Sequence, residues 1–261
     1  MSHLVQFINE CHSNLVNGRD SETDQARKYL SNRYVKPDTM AFHKIGYCYK
    51  KQDIPDEVKF YGKNLDNLTD KGYAYFMAGR IIVPVYSEFG IAVGLATRKP
   101  SSEPGNTWWN LPNPFKKGEH LFLLNKTRKD IFRNNKVFIV EGYMDAIILH
   151  QEGLREVVAI MGTSLSPRKI GLIARYCDNI TLCLDVDANM SGQKGQDKAI
   201  YALREFDFYD SISVIDGLPV GEDPDVFVIQ HGLNDLLCKE KKLTQKEIDI
   251  VWKKIKISTK R

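Results

Sequence analysis

Four short apolar runs punctuate the second half of this 261-residue chain: Val137-Phe-Ile-Val140, Val157-Val-Ala-Ile-Met161, Ile180-Thr-Leu-Cys-Leu184 and Ile212-Ser-Val-Ile215. Helical patterns separate them at 144–152, 166–176 and 195–206. Apolar strands alternating with helices predict a parallel sheet covered by helices on both faces. Such a sheet also fixes where a ligand sits, in the crevice beyond the carboxyl ends of its strands.

The first half reads differently. Leu4, Phe7, Ile8, Cys11 and Leu15 follow helical spacing that ends at Gly18, and Ser21 with Asp24 resembles a capping box opening a second helix through Ala26, Tyr29 and Leu30. An irregular stretch rich in Lys, Asp and Tyr leads to two strand-like runs, Arg80–Tyr86 and Ile91–Thr97, joined at 87–90 as a hairpin. Pro84 marks the first run as an edge strand or a bulge. Residues 99–120 read as loop around Trp108-Trp109, and 244–256 as a lysine-rich amphipathic helix. The expected order is thus a mixed α+β subdomain at 1–136, an α/β domain at 137–238 and a helical tail at 239–261.

Charge follows the same divisions. Residues 1–136 hold 21 basic and 14 acidic side chains, net +7; 137–238 hold 7 and 16, net −9; 239–261 hold 9 and 3, net +6. The mild total of +4 conceals segments with different electrostatic tasks. The 43% apolar content excludes a disordered chain. Five scattered cysteines without a CxxC pair argue against a disulfide scaffold or a zinc ribbon, and Cys11, His12, His43 and Cys48 fit no familiar zinc spacing. No run reaches the length of a membrane span and the N-terminus is too polar for a signal peptide, so a reducing cytoplasm is expected.

The acids of the middle segment fall at three strand ends. The first strand runs into Glu141-Gly-Tyr-Met-Asp145, the third into Asp185-Val-Asp187, and the fourth leads to Gly221-Glu-Asp-Pro-Asp225. Taken singly, Asp145 is a first-turn acid favoured by a helix dipole, and Asp223 an N-cap before a proline. Carboxylates converging at one sheet edge instead repel one another unless cations neutralise them, and hard oxygen donors select Mg²⁺ or Mn²⁺. A site of this kind supports phosphoryl or nucleotidyl transfer.

These three acidic motifs resemble the metal-binding motifs of a TOPRIM domain, and their wording resembles the DnaG-type bacterial and phage primases. Ala159-Ile-Met-Gly162-Thr-Ser164 is similar to that family's second strand and following loop. Upstream, Ala26-Arg-Lys-Tyr-Leu30, Phe42-His-Lys-Ile-Gly46-Tyr47, Gly79-Arg80-Ile-Ile-Val-Pro84, Gly94-Leu-Ala-Thr-Arg98, Asn110-Leu-Pro112 and Phe115-Lys-Lys-Gly118 resemble the primase N-terminal subdomain. The resemblance covers roughly residues 20–235. It implies a TOPRIM-type parallel sheet flanked by helices, and a primase making short RNA primers on single-stranded DNA from ribonucleoside triphosphates. It makes Glu141, Asp185 and Asp187 catalytic metal ligands, with Asp145, Asp223 and Asp225 completing the acidic pocket around two Mg²⁺ or Mn²⁺ ions. Glu141 as general base is the alternative role. Arg80, Arg98 and Lys117 would hold nucleotide phosphates or template, and Trp108 and Trp109 would stack an unpaired base, their bland alternative being packing over the sheet edge.

The chain departs from the family pattern in three places. Residues 188–194 read as an insertion beside the second acidic motif. Thr107 stands where the family carries a lysine, a contact that Lys99 or Lys116 would replace. The family's zinc-binding module has no counterpart, so no zinc is expected and start-site choice would come from a zinc-binding module in trans. Nor is there room for a helicase domain, which leaves a replicative helicase or other replisome protein as an expected partner. A compact core suits a phage or mobile element. A TOPRIM nuclease and a non-catalytic DNA-binding subunit are the rival readings.

Overall fold

In the computed structural model the described residues are 3–52, 54, 58, 77–101, 108–110, 115–185, 191–208 and 211–258. The chain divides into two compact units, Met1–Lys116 and Lys117–Arg261.

In the first unit α1 (His3–Asn17) buries Leu4, Phe7, Ile8, Cys11 and Leu15, the stripe that the spacing marked. Its C-terminus is closed from outside. Arg27, on α2 (Ser21–Asn32), donates to the carbonyls of Leu15 at 2.5 Å and Gly18 at 2.8 Å, placing a cation where the helix dipole is negative. The N-cap of α2 is Asp20 and not Ser21: the Asp20 carboxylate accepts from Thr23 N–H at 3.0 Å. Within the stretch read as irregular, α3 (Pro37–His43) and β1 (Gly46–Cys48) form. β1 lies so close to α1 that a Cβ on Gly46 would meet the Cys11 backbone at 2.5 Å, which explains the glycine.

The sheet of this unit runs in the order β1-β2-β3-β4 and is antiparallel throughout, with β2 (Arg80–Tyr86), β3 (Ala92–Arg98) and β4 (Trp109–Asn110). β2 is an inner strand, yet β1 pairs only with its first three residues. Pro84 stands beyond that pairing and one residue before a bulge at Val85/Tyr86, where no ladder N–H is demanded of it.

The second unit carries a five-stranded sheet ordered β6-β5-β7-β8-β9. β5 (Lys136–Val140), β6 (Val157–Ala159), β7 (Asn179–Leu182) and β8 (Ile212–Ile215) are parallel, as expected. β9 (Glu240–Lys242) closes one edge antiparallel to β8 and comes from the segment assigned to the tail. α4 (Leu124–Asn134), α6 (Pro167–Ile173), α7 (Ser191–Arg204) and α10 (Gln245–Ser258) share one core with Val137, Ile139, Val158, Ile180, Leu182, Ile212 and Val214, one face of the sheet by strand alternation. α5 (Tyr143–Gln151) and α8 (Pro224–His231) pack on each other, followed by the short α9 (Leu233–Leu237). The division at 116/117, where the sequence reading placed 136/137, follows from α4: its Leu124 and Ile131 belong to the second core. The tail belongs to that unit for the same reason, since Ile248 of α10 is fully buried in it. Residues 191–194 are the first turn of α7, so the helix starts four residues before the expected 195.

Candidate active site

The acids of the second unit occupy the carboxyl edge of its parallel strands. Glu141 follows β5 and Asp185 lies three residues past β7, on the neighbouring strand. The loops stay in register past the strands, through Cys183 N–H to Ile139 O at 2.9 Å and Ile160 N–H to Val140 O at 2.9 Å. Glu141 Oε1 lies 3.8 Å from where a Cβ on Gly195 would stand, so the opening of α7 borders it.

Asp145 is linked to the remaining acids, Asp223 and Asp225. Its carboxylate accepts from Gly142 N–H at 3.0 Å and from the Asp225 backbone N–H, joining the starts of α5 and α8. Burial first, then the charges of Asp225 and Asp223, push its pKa up to about 7. The Cys183 thiol beneath is held well above its ordinary value by burial and by the charges of Asp145 and Asp185, which places Asp185 beside the same cluster. Asp225 is buried, and Asp223 occupies the N-cap of α8 without a side-chain cap bond. Asp145 does carry the first-turn role as well. The local role and the cluster coexist, because a helix N-terminus facing the crevice serves both.

Lys117 opens the unit, and its Nζ lies 3.1 Å from where a Cβ on Gly162 would be, at a glycine with φ +155°. Gly162 N–H in turn donates to Glu141 O at 3.3 Å, so this ammonium sits at the same sheet edge as the acids. Beside it is a cation that sequence reasoning missed. Lys169 is buried and donates to the carbonyls of Ile160 at 2.5 Å and Ser164 at 3.3 Å, pinning the loop after β6. Burial, with the charge of Lys117, lowers its pKa to about 8. Only its placement under that loop sets it apart, so nothing in the string announced it.

In the first unit, pairing of Ile81 with Arg98 and of Thr97 with Trp109 puts the two arginines on opposite faces of the sheet. Arg80, 2% exposed, stacks on Trp109 at 3.7 Å. Arg98 lies 5.8 Å from the Trp108 ring and 5.9 Å from that of Tyr29. The two tryptophans therefore serve separate arginines. Asp187, Thr107 and the loop 188–190 lie outside the described residues.

Among the described residues no three His, Cys, Asp or Glu side chains gather closely enough to cage an ion by themselves. The donors at the edge are nonetheless carboxylates, and burial, with the charges of Asp225 and Asp223, raises Asp145. A hard cation held by one or two carboxylates, with phosphate oxygens and water completing its shell, fits that set.

The comparisons with known proteins match the two parts of the chain separately, with the family boundary between residues 128 and 138. Residues 13–128 match the family "DNA primase catalytic core, N-terminal domain" and residues 138–228 match "Toprim-like". The DNA primase of Synechococcus elongatus is 31% identical over 233 residues, 83% of this chain and 33% of that protein. The chain spans about a third of the length of the curated relatives it matches. Among solved structures, the RNA polymerase domain of the Mycobacterium tuberculosis primase superposes with a TM-score of 0.76 at 19% identity, over 92% of this chain and 82% of that one. A DnaG primase catalytic domain bound to ssDNA gives 0.68 at 24%, over 91% and 81%. Two family models, adjoining and in the order that the motifs predict, lead to one assignment: the chain belongs to the DnaG-type family of primase catalytic cores.

Proposed function

We propose that the chain is a metal-dependent nucleotidyl transferase that builds short RNA primers on single-stranded DNA. The observation that carries this reading is that Glu141, Asp145, Asp185, Asp223 and Asp225 line the carboxyl edge of a Toprim-like sheet, in a chain whose residues 13–128 match the primase N-terminal model. The template assignment is supported by the similar catalytic domain described as bound to ssDNA.

Glu141 and Asp185, together with Asp187, are the residues to hold two Mg²⁺ or Mn²⁺ ions. Ions bound there supply the charge that aligns a triphosphate with the primer 3′-hydroxyl and stabilises pyrophosphate as it leaves. Asp145 keeps α5 and α8 at fixed spacing, so that Glu141 and Asp225 hold their places. Lys117 offers a point charge for a triphosphate oxygen at the same edge. Arg98 with Trp108 offers a guanidinium and a ring for a template nucleotide, while buried Arg80 braces Trp109 on the other face. A replicative helicase and a zinc-binding module acting in trans are the partners this role calls for, in the cytoplasm. Among the described residues no helix is long and apolar enough to cross a membrane.

The decisive assay supplies labelled ribonucleotides, Mg²⁺ or Mn²⁺ and a single-stranded template. Asp185→Asn should lower primer synthesis by at least about a hundredfold while circular dichroism and melting stay those of the parent. Full activity in that variant overturns the assignment, and shortened template in place of elongated product identifies a nuclease.

A further inference from the structure

The parallel strands that carry the acids at their carboxyl edge have a second feature at the opposite end. A groove of about 610 Å³ is lined by Arg128, Lys129, Phe132 and Arg133 of α4 and by Arg175 and Tyr176, which follow α6. On α4 these residues fall at i, i+1, i+4 and i+5 and so share one helical face. Phe132 is 70% exposed, and Lys129, Arg133 and Arg175 are exposed beside it. The guanidinium of Arg175 lies 5.9 Å from the Tyr176 ring.

The walls are fixed to each other. Asn135, just past α4, accepts from Asp178 N–H at 2.8 Å through its side chain, and its carbonyl accepts from the Asn179 amide at 2.9 Å. Three acids stand nearby, Asp130 paired with Arg133 at 2.9 Å, Asp178 accepting from the Asn135 side-chain amide and Glu156 accepting from that of Asn134, against the four cations of the lining. Phe132-Arg133 stands two residues short of β5, and Arg175-Tyr176 two residues short of β7. The groove therefore lies beyond the amino ends of the very strands whose carboxyl ends carry Glu141 and Asp185. About 16 Å of strand separates the two ends.

Cations interleaved with exposed aromatic rings select one class of ligand. A duplex hides its base faces and an acidic peptide makes no use of a bare phenyl ring, whereas an unpaired strand offers both phosphates and π-faces. We propose that this groove binds a single strand of nucleic acid, with bases laid on Phe132 and Tyr176 and phosphates held by Arg128, Lys129, Arg133 and Arg175. The site leans on the proposed function only in taking nucleic acid as the ligand, and it is separate from the acids that would perform the chemistry. A strand held there is anchored at the end of the sheet remote from them.

The test uses the whole chain and a fluorescent oligo(dT), with anisotropy as readout and 5-iododeoxyuridine photocrosslinking to locate the contact. The double variant Phe132→Ala, Arg175→Glu should bind oligo(dT) about tenfold more weakly, with a smaller salt dependence, an unchanged affinity for duplex and an unchanged melting curve. Crosslinks in the parent protein should map to Phe132 or Tyr176, and polyglutamate should not compete. Unchanged oligo(dT) affinity with crosslinks confined to other segments overturns the proposal, as does equal loss of duplex binding or competition by polyglutamate. Asp185→Asn should keep these crosslinks. A failure of primer synthesis in the parent, with the crosslinks retained, would count against the proposed reaction and not against the groove.

Discussion

At the scale of single residues, Gly142 shows how closely the candidate site is packed. Its φ of −101° asks nothing special of the backbone, but a Cβ there would meet Asp145 Oδ2 at 2.6 Å. Gly142→Ala should therefore displace the Asp145 carboxylate from its N–H donor. The expected cost is about 1–3 kcal/mol in urea unfolding, because a buried carboxylate loses a hydrogen bond. His150 gives a different kind of prediction. Burial, reinforced by the charges of Arg155 and Lys126 and only partly opposed by Asp130, lowers its pKa to about 4 from 6.5. The unfolded chain takes up a proton below pH 6.5 that the folded chain refuses until about pH 4. Stability should fall as pH drops through that window, by about 3 kcal/mol, and level off below it. Urea midpoints measured across it should show the slope, and His150→Phe should flatten it. The sequence displayed the acids, since each follows a strand end. It hid Lys169 and His150, whose roles come from burial and from the cations that the fold sets beside them.

At the scale of elements, the lysine-rich tail changes meaning. As a sequence it was a basic amphipathic helix. In the fold, α10 lies along α7. Trp252 stacks on Tyr201 with ring centroids 6.4 Å apart, has the Arg204 guanidinium at 4.1 Å and the Lys256 ammonium at 4.0 Å, and donates to Glu205 at 2.6 Å. Lys254 bonds the buried Asp197 of α7 at 2.6 Å. Since the first turns of α7 border Glu141, the tail steadies a helix that shapes the site. Trp252→Ala should destabilise the second unit by about 2 kcal/mol, less than for a fully buried tryptophan, readable in chemical denaturation. The parallel strands and the helices α1, α2, α5, α6, α7 and α10 were legible because their periodicities differ, whereas α3, α4 and α9 went unread. β1 and β9 were not legible, because three-residue strands carry too little pattern to compete with the loops around them.

At the scale of the whole molecule, each unit has a core of its own. A fragment of residues 117–261 should accordingly fold alone and melt cooperatively; a broad, non-cooperative transition measured by circular dichroism would contradict this division. The net +7 of residues 1–136 does not all belong to one nucleic-acid-gripping unit, since α4 carries four of those cations, Lys126, Arg128, Lys129 and Arg133, into the second. The sequence by itself determined the parallel sheet, the edge where its acids sit and the family, because strand-end motifs depend on local pattern and spacing. Only the tertiary structure decided that Arg80 and Arg98 lie on opposite faces, that Asp145 joins two helix starts, and that a basic aromatic groove forms between segments more than forty residues apart. These depend on strand register, burial and long-range packing, which no window of sequence contains.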